Sequence, residues 1–204
     1  MGGFYPFNPK LGQVMQTAVE GVNVDHAFMA HFQVSAANAV AAAAAGVLAA
    51  AATSTAATVI ETGFTNPAVP RNITATAGGT AGSIKAVQVK ITGTNYADEV
   101  ITEDLPAFTV DTAGIVVGSK AFKTVTKVEI PAMDGAGATV AIGFGDKLGL
   151  PFKLAHNTVL AAFLDNTKEG TAPTVAVSAT AIESNTIDLD SALNGKVVDA
   201  YLMV

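Results

Sequence analysis

Apolar and polar residues alternate with a period of two along much of this chain, and that constrains its fold more than any other feature. In SIKAVQVKITGTNY, Val87, Val89 and Ile91 fall on one side and Gln88, Lys90 and Thr92 on the other, which is the pattern of a strand with one buried face. EVITEDL supplies a return strand, with a turn at residues 95–98 between them. In AFKTVTKVEI, Phe122, Thr124, Thr126, Val128 and Ile130 oppose Lys123, Val125, Lys127 and Glu129. PTVAVSATAIE and NTIDLDSAL alternate again, and Asn194 followed by Gly195 is a hairpin signal. KVVDAYLMV then runs apolar, as a paired and packed strand would. Short strands punctuated by Gly, Pro and Asn specify a mainly β chain, with an antiparallel β-sandwich or barrel-like body over residues 34–204.

Residues 1–33 have a different texture and are expected to form an extended N-terminal arm. The prolines in YPFNPKLG suit an extended segment better than a central strand. Phe4, Tyr5, Pro6, Phe7 and Pro9 put three aromatic rings on that arm. Exposed aromatics need a surface to cover them, so these five residues are the candidate contacts to a neighbouring subunit. GFTNPAVPRN, residues 63–72, is a second hinge candidate.

Between arm and body runs NAVAAAAAGVLAAAATSTAATVIETG, residues 38–63. Alanine favours helix, but Gly46 interrupts the run, no capping box opens it, and β-branched residues follow. Strand or irregular extended structure is therefore expected over helix. A membrane span is rejected: alanine is close to neutral for insertion, Thr53, Ser54, Thr55 and Thr58 break the run, and no basic residue flanks it. PFKLAHNTVLAAFLDN, residues 151–166, is the other stretch with helix potential, although NTVLAAFLD also fits a strand.

Composition narrows the function. The 204 residues suit one domain or two small ones. Only 14% are charged, well below the roughly 25% of ordinary domains, as in a chain that hides surface against neighbours. The net charge of −6 and the lack of any Lys/Arg run argue against a nucleic-acid partner. There are no cysteines, so disulfides and thiolate metal sites are excluded. MGGFYPFNPKLGQ has neither the basic and apolar regions of a secretory signal nor, with Pro6 at the critical position, a myristoylation pattern.

No motif supports catalysis or a cofactor. GFGDKLG, residues 143–149, is not G-x-G-x-x-G and carries no Gly-Lys-Ser/Thr, so it is expected to be a glycine-rich turn between strands. His26, His31 and His156 give no metal-ligand spacing. Asp25 next to His26 lacks a nucleophile in an elbow motif. Asp98, Glu99, Glu103 and Asp104 form the densest acidic cluster without calcium-loop spacing, and suit a solvated turn and strand end. Asn72-Ile73-Thr74 matches a glycosylation sequon by pattern alone. The expectation is a protein with no catalytic, cofactor-binding or metal residues.

The order of segments carries one resemblance. NPAVPRNITATAGGTAGSIKAVQVKITGTNYADEVITEDL is followed by GSKAFKTVTKVEIP, then GDKLGLPFKL, then IESNTIDLDSALNGKVVDAYLMV. Together, over residues 34–204, these resemble the small β-rich decoration or cement proteins of tailed bacteriophage capsids. The resemblance implies a non-enzymatic virion structural protein on the capsid exterior, made in the host bacterial cytoplasm. Its implied partners are the major capsid protein and further copies of itself in a homo-oligomer, a trimer being one option. A tail-tube or neck protein is the alternative within the virion, and rings or tubes would distinguish it. A carbohydrate-binding adhesion module is a third reading, disfavoured by the absence of Trp and the presence of only three Tyr.

Overall fold

The computed structural model describes residues 14–16, 23–25 and 27–204. In chain order its strands are β1 (Val14–Gln16), β2 (Asn23–Asp25), β3 (Met29–Val34), β4 (Ala43–Ala52), β5 (Thr58–Ile60), β6 (Arg71–Gly79), β7 (Lys90–Thr94) and β8 (Val100–Asp104). They continue as β9 (Gly114–Phe122), β10 (Thr124–Ile130), β11 (Ala138–Gly149), β12 (Val159–Leu164), β13 (Thr167–Lys168), β14 (Thr174–Ala176), β15 (Thr186–Asp188) and β16 (Val198–Met203). Among the described residues the helical pieces are two single turns of 3-10 helix, Ala81–Ser83 and Ile182–Ser184. The protein is mainly β, and its strand pairs are antiparallel.

Beyond the β1–β2 pair the described residues form three sheets. The first has the order β5-β10-β7-β8. The second runs β14-β15-β11-β6-β9, with β4 also paired to β11. The third is β13-β12-β16-β3. The first two pack through their inner faces over Ile91, Ile101, Val128 and Ile130 on one side and Ile73, Ala75, Val140 and Ile142 on the other. This is a β-sandwich, as the alternation predicts. The third sheet covers a separate core in which Phe32, Leu164, Val198 and Leu202 meet Leu148 and Ile187 of the second sheet. The long strand β11 serves both: Val140, Ile142 and Phe144 enter the first core, and Leu148 enters the second.

Strand β9 ends at Phe122 in the second sheet and β10 starts at Thr124 in the first, so the chain changes sheets across Lys123. Gly93 is required there, because a Cβ on it would run into the Thr124 carbonyl. β7 and β8 form the expected hairpin. Asn95 closes the turn: its Oδ1 accepts from the amides of Ala97 and Glu99 at 2.9 and 3.0 Å, and Asp98 takes φ 62°.

Several expectations are corrected. A bulge between Val125 and Lys127 shifts the register of β10. Val125 is therefore buried with Phe122, Val128 and Ile130 while Thr126 is exposed, and the strict two-face division of AFKTVTKVEI fails. GFGDKLG is strand rather than turn and forms the C-terminal half of β11. Asn194 and Gly195 do make a tight turn, at φ 44° and 73° with Lys196 N donating to Leu193 O at 2.9 Å. It is not a hairpin, because β15 and β16, on either side of it, lie in different sheets.

The remaining ambiguous stretches resolve to strand. Ala43–Ala52 is extended, and residues 151–166 yield β12 rather than a helix. β16 is an inner strand of the third sheet, between β12 and β3. Met29–Val34, the last part of the segment with arm-like texture, pairs along β16 from Met29 opposite Met203 to Val34 opposite Val198. The change of texture at residue 34 thus does not coincide with a break in the sheet.

Candidate interaction surface

The outer strands of the three sheets carry large apolar side chains that no part of the described chain covers. Val59 on β5, Val100 on β8, Ile115 and Val117 on β9, and Met29 on β3 are all exposed, Val100 by 75%. Edge strands present free backbone donors and acceptors, and soluble monomers normally blunt them with charge or proline. One edge here is partly blunted: Glu103 Oε1 accepts from the Ser119 and Lys120 amides on β9, at 2.6 and 3.2 Å. Among the described residues nothing caps the stretch from Ile115 to Val117 in this way.

The alanine run adds a second exposed surface. Val47 is the buried residue of β4, whereas Ala41, Ala42, Ala44, Ala45, Ala49, Ala50 and Ala52 are exposed. β4 is also strongly bulged. Between Leu48 and Ala43 it advances five residues while β11 advances two, from Ile142 to Phe144. The extra residues let Ala43 and Ala44 fold close over Gly143, whose missing Cβ would otherwise strike the Ala43 carbonyl.

That fold makes one wall of a groove of about 390 Å³. Ala42, Ala43 and Ala44 line one side, and Ile115 and Val117 of β9 line the other. Thr74 and Phe144 contribute to the lining between them, and Asp146, Lys147 and Asp188 also line it. Thr74 is 2% exposed, and its hydroxyl has no hydrogen-bond partner among the described residues, a costly state for a buried polar group. Burial pushes the Asp188 carboxyl above the ordinary carboxylate range; Lys147 opposes that shift and Asp146 adds to it.

Arg71, the only arginine in the chain, holds this region together from inside. It is fully buried and donates to Val40 O at 2.6 Å and to Asp146 Oδ1 at 3.0 Å. Its guanidinium also lies 4.7 Å from the centre of the Phe144 ring. Burial lowers its pKa and Asp146 pulls it back up. One side chain therefore ties the start of the alanine run to the bulge in β11, where the register shifts between Phe144 and Leu148.

The residues singled out in the sequence are placed as follows. Phe4, Tyr5, Pro6, Phe7, Pro9 and His26 lie outside the described residues. His31 stacks on Tyr201 at 4.8 Å and contacts Asp199 Oδ1 at 2.7 Å on the open face of the third sheet; His156 is exposed elsewhere. Asp98 pairs with Lys123 at 2.7 Å, and Glu99 accepts from Asn95 at 2.9 Å, so the acidic cluster is dispersed into local contacts. Asn72 of the sequon is fully buried, donating to Gly118 O and accepting from Lys147 N, so the folded chain offers it to no glycosylating enzyme. Among the described residues no three His, Asp or Glu side chains gather as a metal site, and no helix is long and apolar enough to cross a membrane.

The groove and the open edges escape sequence reasoning because their residues are far apart in the chain. The lone arginine in VPRNITATAG was the available signal. No family model matches the chain, and no curated protein or solved structure does so at a significant level.

Proposed function

We propose that this chain is a structural protein of a tailed-bacteriophage virion, a decoration or cement protein that binds the outside of the major capsid protein shell and stabilises it without catalysis. The observation that carries the reading is the set of large apolar side chains on β3, β5, β8 and β9 that no described residue covers. A protein with four such edges is suited to bury them against neighbours. The segment order of residues 34–204 supplies the kind of neighbour, through its resemblance to capsid decoration proteins. The exposed alanines of β4 suit a closely packed seam, because small side chains let two backbones approach. Many identical copies then convert modest contacts into firm attachment through avidity.

The test is co-sedimentation of the purified protein with shells of its phage assembled without it, followed by thermal melting of the decorated shells. Saturable binding and a raised shell melting temperature are expected. Absence of binding, together with rings or tubes of the purified protein in negative stain, would move it to the tail or neck.

A further inference from the structure

The open face of the third sheet carries a charged group that packing does not account for. Asp199 stands on the inner strand β16, and its side chain is only 11% exposed. Aspartate is disfavoured in strands, and burying a carboxylate is costly. Gln33 Nε2 donates to Asp199 Oδ1 at 2.7 Å, and His31 Nε2 meets the same oxygen at 2.7 Å. Both contacts fall on one oxygen, so Oδ2 has no hydrogen-bond partner among the described residues. The glutamine is neutral, and an unprotonated imidazole leaves the carboxylate's charge in place. Lys168, across Phe163 on β13, makes no ion pair with it.

The same carboxylate lines a pocket of about 160 Å³ with Phe163, Tyr201 and Asn166. Phe163 is directly opposite Asp199 in the ladder. Its ring meets that of Tyr201 edge to face, at 6.0 Å and 88°, so Tyr201 covers at most one face of Phe163. The His31 ring, stacked on Tyr201 at 4.8 Å, holds the tyrosine in place. Asn166, exposed in the turn between β12 and β13, adds an amide carbonyl at the rim. An anionic oxygen beside an aromatic face is complementary to a planar cation. A guanidinium donates in its plane, stacks through its face, and is more weakly hydrated than an ammonium.

We propose that this pocket receives the guanidinium of an arginine side chain from a partner protein, its plane against Phe163 and an N–H donated to Asp199 Oδ2. The partner is not a second copy, because the chain's only arginine, Arg71, is fully buried. With the virion reading above, the arginine belongs to the major capsid protein; the pocket's chemistry stands without that reading.

An NMR titration of the full chain with N-acetyl-L-arginine amide tests this, at about pH 8, where histidine is ordinarily uncharged. Saturable shifts are expected at the Gln33 and Asn166 side-chain amides and at the Phe163 and Asp199 backbone amides. The citrulline counterpart, similar in shape but uncharged, should bind about tenfold more weakly. The lysine counterpart, charged but not planar, should bind about threefold more weakly. Asp199→Asn keeps an Oδ1 for Gln33 and His31 and puts an amide donor in place of Oδ2, so it should lose about tenfold with β3 still paired. Phe163→Leu should lose about threefold. Circular-dichroism melts establish that both variants fold; if one does not, the three compounds on the unaltered chain still decide. No saturable shift, equal binding of the citrulline compound, or shifts spread over exposed carboxylates such as Asp104 would each overturn the proposal. So would a folded Asp199→Asn chain that binds as the parent does. Tighter binding of free arginine than of the capped compound would assign the pocket to the amino acid itself and overturn the docking of a partner's side chain. The titration contains no capsid, so its failure leaves the co-sedimentation result standing, and the converse holds as well.

Discussion

The core between the first two sheets takes its aliphatic residues mainly as Ile and Val, with Leu105 as its one fully buried leucine, whereas the core under the third sheet holds Leu148, Leu150, Leu154, Leu164, Leu189, Leu193 and Leu202. The difference follows from what carries the side chains. In the first core, Ile73, Ile91, Ile101, Val128, Ile130, Val140 and Ile142 all stand on strands, where β-branched side chains pack well on a pleated face. In the second, Leu150, Leu154, Leu189 and Leu193 come from connecting segments. Irregular backbone favours a side chain with more freedom at its first torsion. Such backbone also needs its polar groups satisfied, and buried Asn185 does much of this. Its Oδ1 accepts from the amides of Leu154 and Ser178, and its Nδ2 donates to the carbonyls of Ser178 and Ala181, all between 2.8 and 3.0 Å.

The comparison is sharpest if truncations in the two cores differ in cost. Ile142→Ala, between long sheets that cannot close over a hole, should lose about 4 kcal/mol in urea unfolding. Leu193→Ala, in a segment free to settle inward, should lose about 2.5 kcal/mol. Equal losses would mean that the second core is as rigid as the first. Arg71→Ala, at the junction, should cost about 3 kcal/mol by the same measurement, from the cavity and the unpaired Val40 carbonyl. Asp146 adds little to that loss, because its side chain is 37% exposed and regains water.

Asn185→Ala should cost about 2 kcal/mol and should speed hydrogen exchange at the Leu154 and Ser178 amides while leaving the first core protected. Uniform acceleration across both cores would break the distinction. The smallest effect is expected at Asp188. Its folded pKa lies above the unfolded one, so the folded state holds the proton more tightly, and stability is lost as pH rises through that interval and stays lost above it. Asp188→Asn should therefore raise the melting temperature slightly near pH 7 and leave it unchanged at about pH 3, below the ordinary carboxylate range. A gain of equal size at both values would assign the effect to packing instead of charge.

The same contrast explains what was legible. The sandwich is written in period-two alternation, and β7, β8 and their Asn95 turn follow from local residues. The face assignment of β10 fails at one extra residue near Thr126, which no local pattern announces. GFGDKLG reads as a turn because glycine is usually punctuation. In the fold, Gly143 is instead needed where a bulged neighbour crosses, and Gly149 packs against Ala121 and Pro70. These are long-range requirements invisible in a window of seven residues. The leucines of the second core lack periodicity because four of the seven are not on strands. The candidate groove draws on Ala42, Thr74, Val117 and Asp188, and only the completed sheets bring these residues together.

The continuity of β11 has a mechanical consequence. Its first part is laced to β4 and β6 and its end to β15, so the two cores share a covalent beam rather than a noncovalent seam. A load entering one half passes to the other along peptide bonds, and the antiparallel ladders beside the beam resist it in shear, many hydrogen bonds at once. The bulge between Phe144 and Leu148, clasped by Arg71, is the compliant point of that beam. It lies next to the groove, so the same few residues shape both the joint between the halves and the groove's lining.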